Sequence, residues 1–450
     1  MAPPASVDRD WRERFLPFLV IGGPLLLLLL YFSYALGLLD FSRCPPDCQS
    51  ADFAGQRLAG SDWAGVDLQY ASFAHADLAN ANLRGADLYF ANLQGANLQG
   101  AQLQAANLRG AYLDEARLQD AQLQEAILRG ARLGRVGLAG AQLAGADLTS
   151  ALLAGADWRG SLIDESTHLD AKWRTVWTIV NQPTAGRDLV AADLAGANLQ
   201  GSLLRGADLR NANLVLADLT GADLMDAQLD GAQLRQTIAN DATQWSPKWQ
   251  RVWQLLNTNQ VSQPLAHADL ADANLDGVFL RRADLQGANL RGASIKDADL
   301  HDANLRGATL VGANLTESTL RGADLEAADL TGAVLTNVDL SLVNWRQVTL
   351  DDTTTVSAIY RRIWAIVNQG IADQTLAGVD LRWSNLQGVN FAGADLRGAI
   401  LTRTLLMDCD FTNADLRDTD LSYADLTGAT LTGAKLDGAN LTGVIGFPNP

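Results

Sequence analysis

The chain has 450 residues, of which 51 are acidic and 34 are basic, giving a formal net charge of −17 at pH 7. Such an acidic composition disfavours binding to bare nucleic acid, whose phosphates require a basic surface, so no direct nucleic-acid partner is expected. The four histidines are far apart in the sequence and do not predict a histidine-based metal centre.

The first feature in chain order is an uncharged, apolar segment over residues 15–39. This length suffices for one helix to cross a hydrocarbon core of about 30 Å. A cleaved signal peptide is the alternative, but its apolar region would span about 7–15 residues, and no small-x-small cleavage site follows here. Arg9, Arg12 and Arg14 precede the segment, whereas Arg43 alone follows it closely. The positive-inside rule therefore predicts a single-pass membrane protein with a cytoplasmic N-terminus and the rest of the chain on the non-cytoplasmic side.

Two cysteines lie just after this segment, Cys44 and Cys48, in the sequence Cys-Pro-Pro-Asp-Cys. Their spacing fits a short disulfide in an oxidising compartment, which agrees with the non-cytoplasmic location. A metal role would need further ligands nearby.

From residue 51 onward the chain is dominated by a five-residue unit of the form Ala-Asp/Asn-Leu-x-x. We call the central apolar residue of each unit position i; it first falls at Phe53 and recurs once in every unit to Ile163. Position i−2 is usually Ala. Two small or apolar positions in every unit fit neither a helix face nor an alternating strand. The pattern predicts a solenoid, in which each unit buries its apolar side only against its neighbours.

This pattern resembles the pentapeptide-repeat family. The resemblance implies an all-β solenoid, a right-handed quadrilateral β-helix with four units in each coil. The residues themselves carry a sign of that period, because large side chains recur at an interval of four units. The pairs are Phe53/Phe73, Phe391/Phe411 and Tyr70/Phe90. We expect the rings of each pair to stack on one another.

The repeat is interrupted three times, and the interruptions are equal in length and copies of one another. Their aromatic and aliphatic residues recur with the 3.6-residue period of a helix. The pattern predicts three short α-helical inserts, at residues 171–181, 247–257 and 358–368. The predicted N-cap residues are Asp170, Ser246 and Ser357, and the predicted last residues are Asn181, Asn257 and Asn368.

The aromatic residues of these inserts are candidate capping or interaction residues: Trp173, Trp177, Trp249, Trp253, Tyr360 and Trp364. In the structural interpretation, each helix covers the apolar end and unpaired strand edges of a solenoid segment. In the alternative interpretation, basic aromatic helices on an acidic rod dock a partner or lipid headgroups. Buried Trp side chains would favour the first interpretation, and exposed ones the second.

The predicted organisation is thus one N-terminal transmembrane helix followed by four solenoid segments and three inserts. The divisions are a cytoplasmic tail 1–14, the transmembrane helix 15–39, a linker 40–50, segment 1 at 51–165, an insert 166–186, segment 2 at 187–241, an insert 242–262, segment 3 at 263–352, an insert 353–373, segment 4 at 374–443 and a C-terminal tail 444–450.

The sequence predicts no catalytic, cofactor-binding or metal-binding residue, and hence a protein that is not an enzyme. It contains no Gly-x-Ser-x-Gly elbow and no phosphate-binding Gly-Lys-Ser/Thr motif. Its carboxylates form a regular ladder, which is the pattern of the repeat itself. Cys409 stands at an i−2 position and is predicted to be a small buried thiol in the place of Ala.

The function that these features favour is a non-enzymatic, membrane-anchored scaffold or protein-interaction rod with an unidentified protein partner. The resemblance, which also implies a bacterial source, suggests an alternative, because the family includes proteins that imitate duplex DNA and inhibit gyrase. Such a regulatory binder would use its acidic face. The predicted membrane helix, the inserts and the dispersed arginines depart from that pattern.

Overall fold

A computed structural model describes three stretches of the chain, residues 46–258, 265–372 and 375–447. The predicted transmembrane helix 15–39 and the first cysteine, Cys44, lie outside these stretches. Cys48 is buried and takes part in a disulfide, and its pairing with Cys44 stays a prediction. Within the described stretches, no helix is both long enough and apolar enough to span a bilayer.

In each repeat unit, one residue pairs with the neighbouring coils and a tight turn follows. The unit centred on Leu78 illustrates this arrangement. The N–H of Ala81 donates to the carbonyl of Leu78 at 3.0 Å, which closes a β-turn. Asn80, the third residue of this turn, has a φ of +57°, as a type II turn requires. Asp77 stabilises the turn because its Oδ1 accepts the N–H of Ala79 at 3.3 Å. The Asx residue at i−1 and the Gly, Asn or Asp common at i+2 therefore follow from the turn.

Successive coils stack by pairing each unit with the fourth unit after it. Asp77 bridges to Asn97 in parallel, and the N–H of Leu78 donates to the Asn97 carbonyl at 2.7 Å. The side chains continue this ladder, since Nδ2 of Asn97 donates to Oδ1 of Asp77 at 2.8 Å. The predicted coil of four units is confirmed; its right-handed sense stays a prediction.

The core is a column of leucines at position i, with alanines at i−2, and nearly all of these residues are fully buried. Each buried leucine contributes about 1.5–3 kcal/mol relative to an exposed one. The predicted ring stacking is confirmed for all three pairs. The ring centroids lie 4.9 Å apart for Phe53/Phe73, 5.1 Å for Phe391/Phe411 and 6.2 Å for Tyr70/Phe90.

The three inserts form helices, as predicted, and the third ends one residue later than expected. The elements are α1 (Ala171–Asn181), β1 (Asp223–Leu224), β2 (Gln244–Trp245), α2 (Pro247–Asn257) and α3 (Ala358–Gln369). Strands β1 and β2 are parallel neighbours, with Asp223 opposite Gln244. They form the only two-residue strand pair among the described residues; the other coils pair through single residues.

The three predicted N-cap residues are confirmed, but their side chains do not cap the helices. None of the three side chains accepts a hydrogen bond from its own helix. Oγ of Ser246 instead accepts the N–H of Asp226, at 3.0 Å, in the preceding coil. Oδ1 of Asp170 likewise lies 3.4 Å from the N–H of Ser150. Backbone N–H groups of the preceding coil thus occupy the side-chain oxygens that an N-cap residue would offer to its own helix.

The segments on either side of each helix touch directly on one wall of the solenoid, which we call the contact face. There, one backbone N–H of the segment before the helix donates to a carbonyl of the segment after it. The bonds are Gly155 N to Gly196 O at 2.6 Å, Gly231 N to Asp272 O at 2.7 Å and Leu342 N to Trp383 O at 2.7 Å. In the first junction the helix also contacts the following segment, since Lys172 pairs with Asp193 and the Arg187 guanidinium donates to the Thr178 carbonyl.

Candidate interaction sites at the helical junctions

Each insert helix turns its apolar side onto the end of the preceding coil. In α1 this side consists of Trp173, Val176 and Ile179, all of which are buried. The matching residues of α2 are Trp249 and Val252, and those of α3 are Ile363 and Ile366. Because they join the same continuous core as the leucine column, the helices extend that core through the junctions.

The second aromatic residue of each helix is fixed by a hydrogen bond to the coil beneath it. Nε1 of Trp177 donates to the Ser161 carbonyl at 3.0 Å. The matching bonds join Trp253 to Thr237 at 3.3 Å and Trp364 to Val348 at 2.7 Å. All three rings are half-buried and pack against the core. A ligand that engaged them from outside would have to compete with this bond.

An asparagine at the end of each helix ties it to the same coil. Nδ2 of Asn181 donates to the carbonyls of Trp158 and Trp177, at 3.0 and 3.1 Å. Its Oδ1 accepts the N–H of Gly160 at 2.7 Å. Asn257 and Asn368 repeat the two donated bonds. The three asparagines thus connect the helices to the solenoid, and in α1 and α2 they are also the last helical residue.

A buried threonine in each junction was missed by sequence reasoning. Thr167 is 2% exposed, and its Oγ1 donates to the Leu143 carbonyl at 2.9 Å. Thr243 and Thr354 make the same bond to Leu219 and Leu330, at 2.9 and 3.0 Å. An Asx residue three positions earlier accepts from the loop. Aligning the three inserts would have revealed this pattern, which reads Asp-Glu-Ser-Thr, Asn-Asp-Ala-Thr and Asp-Asp-Thr-Thr.

The lysines of the first two helices are also engaged within the molecule. Lys172 lies 5.0 Å from the Trp173 ring and pairs with Asp193 of segment 2 at 3.1 Å. Lys248 lies 4.3 Å from the Trp249 ring, and its Nζ is 3.4 Å from Asp230. The six candidate aromatics therefore lie at three separate junctions, two in each, and the geometry favours capping over docking.

On the outer walls, arginines pair with acids inside a unit and between successive coils. In the sequence Asp-Leu-Arg, the arginine folds back onto the carboxylate of its own unit, as Arg397 does to Asp395 at 2.7 Å. The hydrogen bonds from Arg397 lower the pKa of Asp395, and those from Arg417 lower the pKa of Asp415 to about 2. Between coils, Arg132 pairs with Asp114 at 2.9 Å.

The remaining chemistry-bearing side chains show a structural role. Cys409 is 1% exposed, as predicted, and its Sγ lies 3.1 Å from the Leu386 carbonyl. Burial raises the pKa of this thiol to about 11, so it is not a thiolate at neutral pH. Over the described stretches, no group of three or more His, Cys, Asp or Glu side chains is arranged to hold a metal ion.

Comparison with known proteins gives a clear sequence match to one family. A profile described as pentapeptide repeats matches residues 47–135, 188–238, 265–337 and 376–445 through overlapping copies. This is well over half of the chain. None of the curated proteins compared with the chain matches it.

Several solved structures are similar to the chain. HetL, a pentapeptide repeat protein involved in heterocyst differentiation regulation in Nostoc sp. strain PCC 7120, is 27% identical, with 68% of this chain and 95% of HetL covered and a TM-score of 0.19. Rfr23 from Cyanothece 51142 is 28% identical, with 28% and 94% covered and a TM-score of 0.20. Full-length QnrB1, a plasmid-mediated fluoroquinolone resistance protein, is 13% identical, with 68% and 94% covered and a TM-score of 0.13. With TM-scores this low, the sequence profile and not superposition carries the assignment.

Proposed function

Because the chain belongs to the pentapeptide-repeat family, we propose that it is a non-enzymatic scaffold, a rod of stacked coils that is anchored in a membrane through residues 15–39 and binds a protein partner along its outer surface. The observation that carries this proposal is the threefold repetition of one junction. Each copy uses its Trp, Asn and Thr side chains to fix the helix loop to the preceding segment, and a backbone hydrogen bond joins that segment to the next. The chain thereby gains length and a continuous outer surface.

The energetics of the junctions support a scaffold. Each junction adds buried aromatic and aliphatic area, side-chain hydrogen bonds to coil carbonyls and a backbone bond across the contact face. Side chains that were free to bind a ligand would not need such fixed internal partners. The outward positions i−1, i+1 and i+2 carry most of the sequence variation and are available to a partner along the whole rod.

The membrane location is tested by fusing a reporter after Pro450 of the full chain. Alkaline phosphatase should be active and green fluorescent protein dark, because the fusion point lies outside the cytoplasm. A matched variant that moves the positive charges, with Arg9, Arg12 and Arg14→Glu and basic residues placed after Arg43, should reverse both signals. A fluorescent, phosphatase-negative wild-type fusion would overturn the location and favour the gyrase-directed alternative.

The scaffold role is tested in the same cells with a photo-crosslinking residue placed at outward i+1 positions on each of the four faces. Discrete adducts confined to one or two faces are expected for a rod that binds a specific partner. Uniform weak labelling of all four faces would contradict a specific interaction surface.

A further inference from the structure

One corner of segments 3 and 4 carries cationic and aromatic side chains in a column, with one intervening coil that presents Ser341 and Leu342. They occupy positions i+1 and i+2 of units that stack in register, as the bridges Thr319 to Asp339 and Asp380 to Ile400 show. The third junction does not break the column, because this corner adjoins the contact face, where Leu342 N donates to Trp383 O. Sequence reasoning found no basic patch, since the members lie in different coils.

Four of these side chains form what we call the arginine–aromatic ladder: Arg321, Trp383, Arg403 and Tyr423. The guanidinium of Arg321 lies 4.7 Å from the centre of the Trp383 ring, and that of Arg403 lies 4.7 Å from the same ring. Arg403 also lies 5.4 Å from the Tyr423 ring. Segment 3 contributes the first rung, and segment 4 contributes the other three.

Three members of the ladder occupy backbone positions that disfavour their side chains. Trp383, Arg403 and Tyr423 have φ values of 60°, 58° and 60°, at the i+2 position that Gly, Asn or Asp otherwise commonly takes. Left-handed backbone costs about 1–2 kcal/mol per residue relative to right-handed. Burial in the core does not offset this cost, because Tyr423 is 55% exposed and Arg403 is also exposed. The same positive φ recurs at non-glycine i+2 positions along the solenoid, so the turn of the repeat imposes it.

The two arginines of the ladder have unused hydrogen-bonding capacity. Within the described stretches neither Arg321 nor Arg403 forms an ion pair, whereas the neighbouring Arg382 is paired with Asp380 at 2.8 Å. A guanidinium stacked on a ring still presents its N–H edge, and that edge matches the two oxygens of a carboxylate. The stacking also fixes the side chains in advance, so less conformational entropy is lost when an anion binds.

We propose that the arginine–aromatic ladder docks an extended acidic segment of a partner protein. Arg321 precedes Trp383 in the stack of coils and Arg403 follows it, so the two guanidiniums lie on either side of one ring. Twice the 4.7 Å distance to the ring centre sets an upper limit of about 9 Å on their separation. Side chains on one side of an extended strand repeat about every 7 Å, so two alternate carboxylates reach both arginines. Trp, Tyr and Arg are also the residues that dominate protein–protein interfaces.

The charges beside the ladder favour a narrow peptide over a broad polyanion. Asp380 and Asp420 lie at the i−1 positions of the same wall, and Asp420 accepts a hydrogen bond from Thr402 at 3.0 Å. A duplex nucleic acid would place phosphates over these carboxylates, whereas a single strand lying along the ladder avoids them. This inference deepens the proposed function, on which it rests, by naming the surface and the chemistry of the partner.

The test measures binding of a defined probe to the full chain in detergent micelles by fluorescence anisotropy. The probe is a fluorescein-labelled dodecapeptide of alternating Glu and Thr, and the reference peptide has Gln in place of Glu. We expect saturable binding of the Glu peptide only, weakened at least tenfold in the double variant Arg321→Gln, Arg403→Gln.

The matched control is Arg109→Gln, Arg129→Gln, which removes two exposed arginines that also lack ion pairs in the described part of segment 1. It should leave binding within twofold of wild type. Equal loss in both double variants, or equal binding of the Gln peptide, would overturn the proposal in favour of unspecific attraction. Tighter binding of a single-stranded DNA dodecamer would overturn it in favour of a nucleic-acid partner. None of these outcomes affects the result of the reporter fusion after Pro450. Failure of the ladder proposal can therefore be distinguished from failure of the scaffold proposal.

Discussion

Single polar residues decide how each junction loop closes. Oδ1 of Asp351 accepts from the N–H and Oγ1 of both Thr353 and Thr354, and from the N–H of Gly332. These bonds, those from the threonine hydroxyls first, lower the pKa of Asp351 to about 2. In the second junction, Asn240 occupies the same place and accepts from the Gly221 N–H at 3.2 Å without carrying a charge. The loop thus needs a hydrogen-bond acceptor at this position, and a charged acceptor makes the stability of the loop depend on pH.

We predict that Asp351→Asn lowers thermal stability at neutral pH but not in strong acid. The pKa of about 2 in the folded state lies below the ordinary value of 3.8, so the carboxylate stabilises the fold fully above about pH 4. That contribution is lost as the pH falls towards 2. Melting temperatures followed by circular dichroism should therefore differ between wild type and variant at pH 6 and converge near pH 2. The exposed neighbour offers a control, and an equal effect of Asp352→Asn would contradict this explanation.

The helices are held as elements by what they cover and by the asparagine at their ends. The resemblance to the family, together with the four-unit spacing of large side chains, predicted the coil of four units and the stacked aromatic pairs. The helices were predictable because their 3.6-residue period differs from that of the repeat. The side-chain partners of the N-cap residues and the buried Thr167, Thr243 and Thr354 were not predictable, because these contacts join neighbouring coils that are remote in the sequence. The arginine–aromatic ladder was missed for the same reason.

Replacing the terminal asparagine should loosen α3 more than α2. Asn368 donates two hydrogen bonds, to Trp345 and Trp364, and its Oδ1 also accepts the N–H of Gln347 at 2.7 Å. Oδ1 of Asn257 has no such donor among the described residues. A net hydrogen bond is worth about 0.5–1.5 kcal/mol, so the extra bond should matter by about 1 kcal/mol. Asn368→Ala should therefore lower the free energy of local opening of its helix by that much more than Asn257→Ala does.

Amide hydrogen exchange of the two helices measures this difference directly. Gln369→Ala, at the exposed next position, is the control and should leave exchange of α3 unchanged. Equal losses for the two asparagines would show that the bond to Gln347 contributes nothing to holding α3.

For the whole molecule, the junctions should set the direction of the rod. On the contact face, two segments are joined by a backbone hydrogen bond, whereas elsewhere the helix covers the end of the preceding coil. A helix with its side chains is about 10 Å wide, and adjacent strands are about 4.8 Å apart. The two segments are therefore separated unevenly around the axis. Each helix should act as a wedge that tilts the next segment towards the contact face.

Electron microscopy of single full-length particles should show a shaft with three changes of direction. The uninterrupted coils of segment 1 provide an internal control, because they should be straight over their whole length. The contact faces of the second and third junctions lie on opposite walls, since the units centred on Leu270 and Leu340 are two faces apart. Successive tilts therefore should not close into a ring. Straight, unbroken shafts would contradict the wedge.

The direct bonds across the contact face also make the molecule modular. Every junction returns the chain to its starting wall after the same step along the sequence, so an insert with its flanking coils is an interchangeable cassette. Duplicating such a cassette would lengthen the protein, and exchanging one would keep its length. In both cases every outward side chain would stay on its original wall. Adding a single residue to an insert would shift everything downstream out of phase. Adding whole cassettes is therefore how this architecture can change its length and keep the outward side chains of a binding surface aligned.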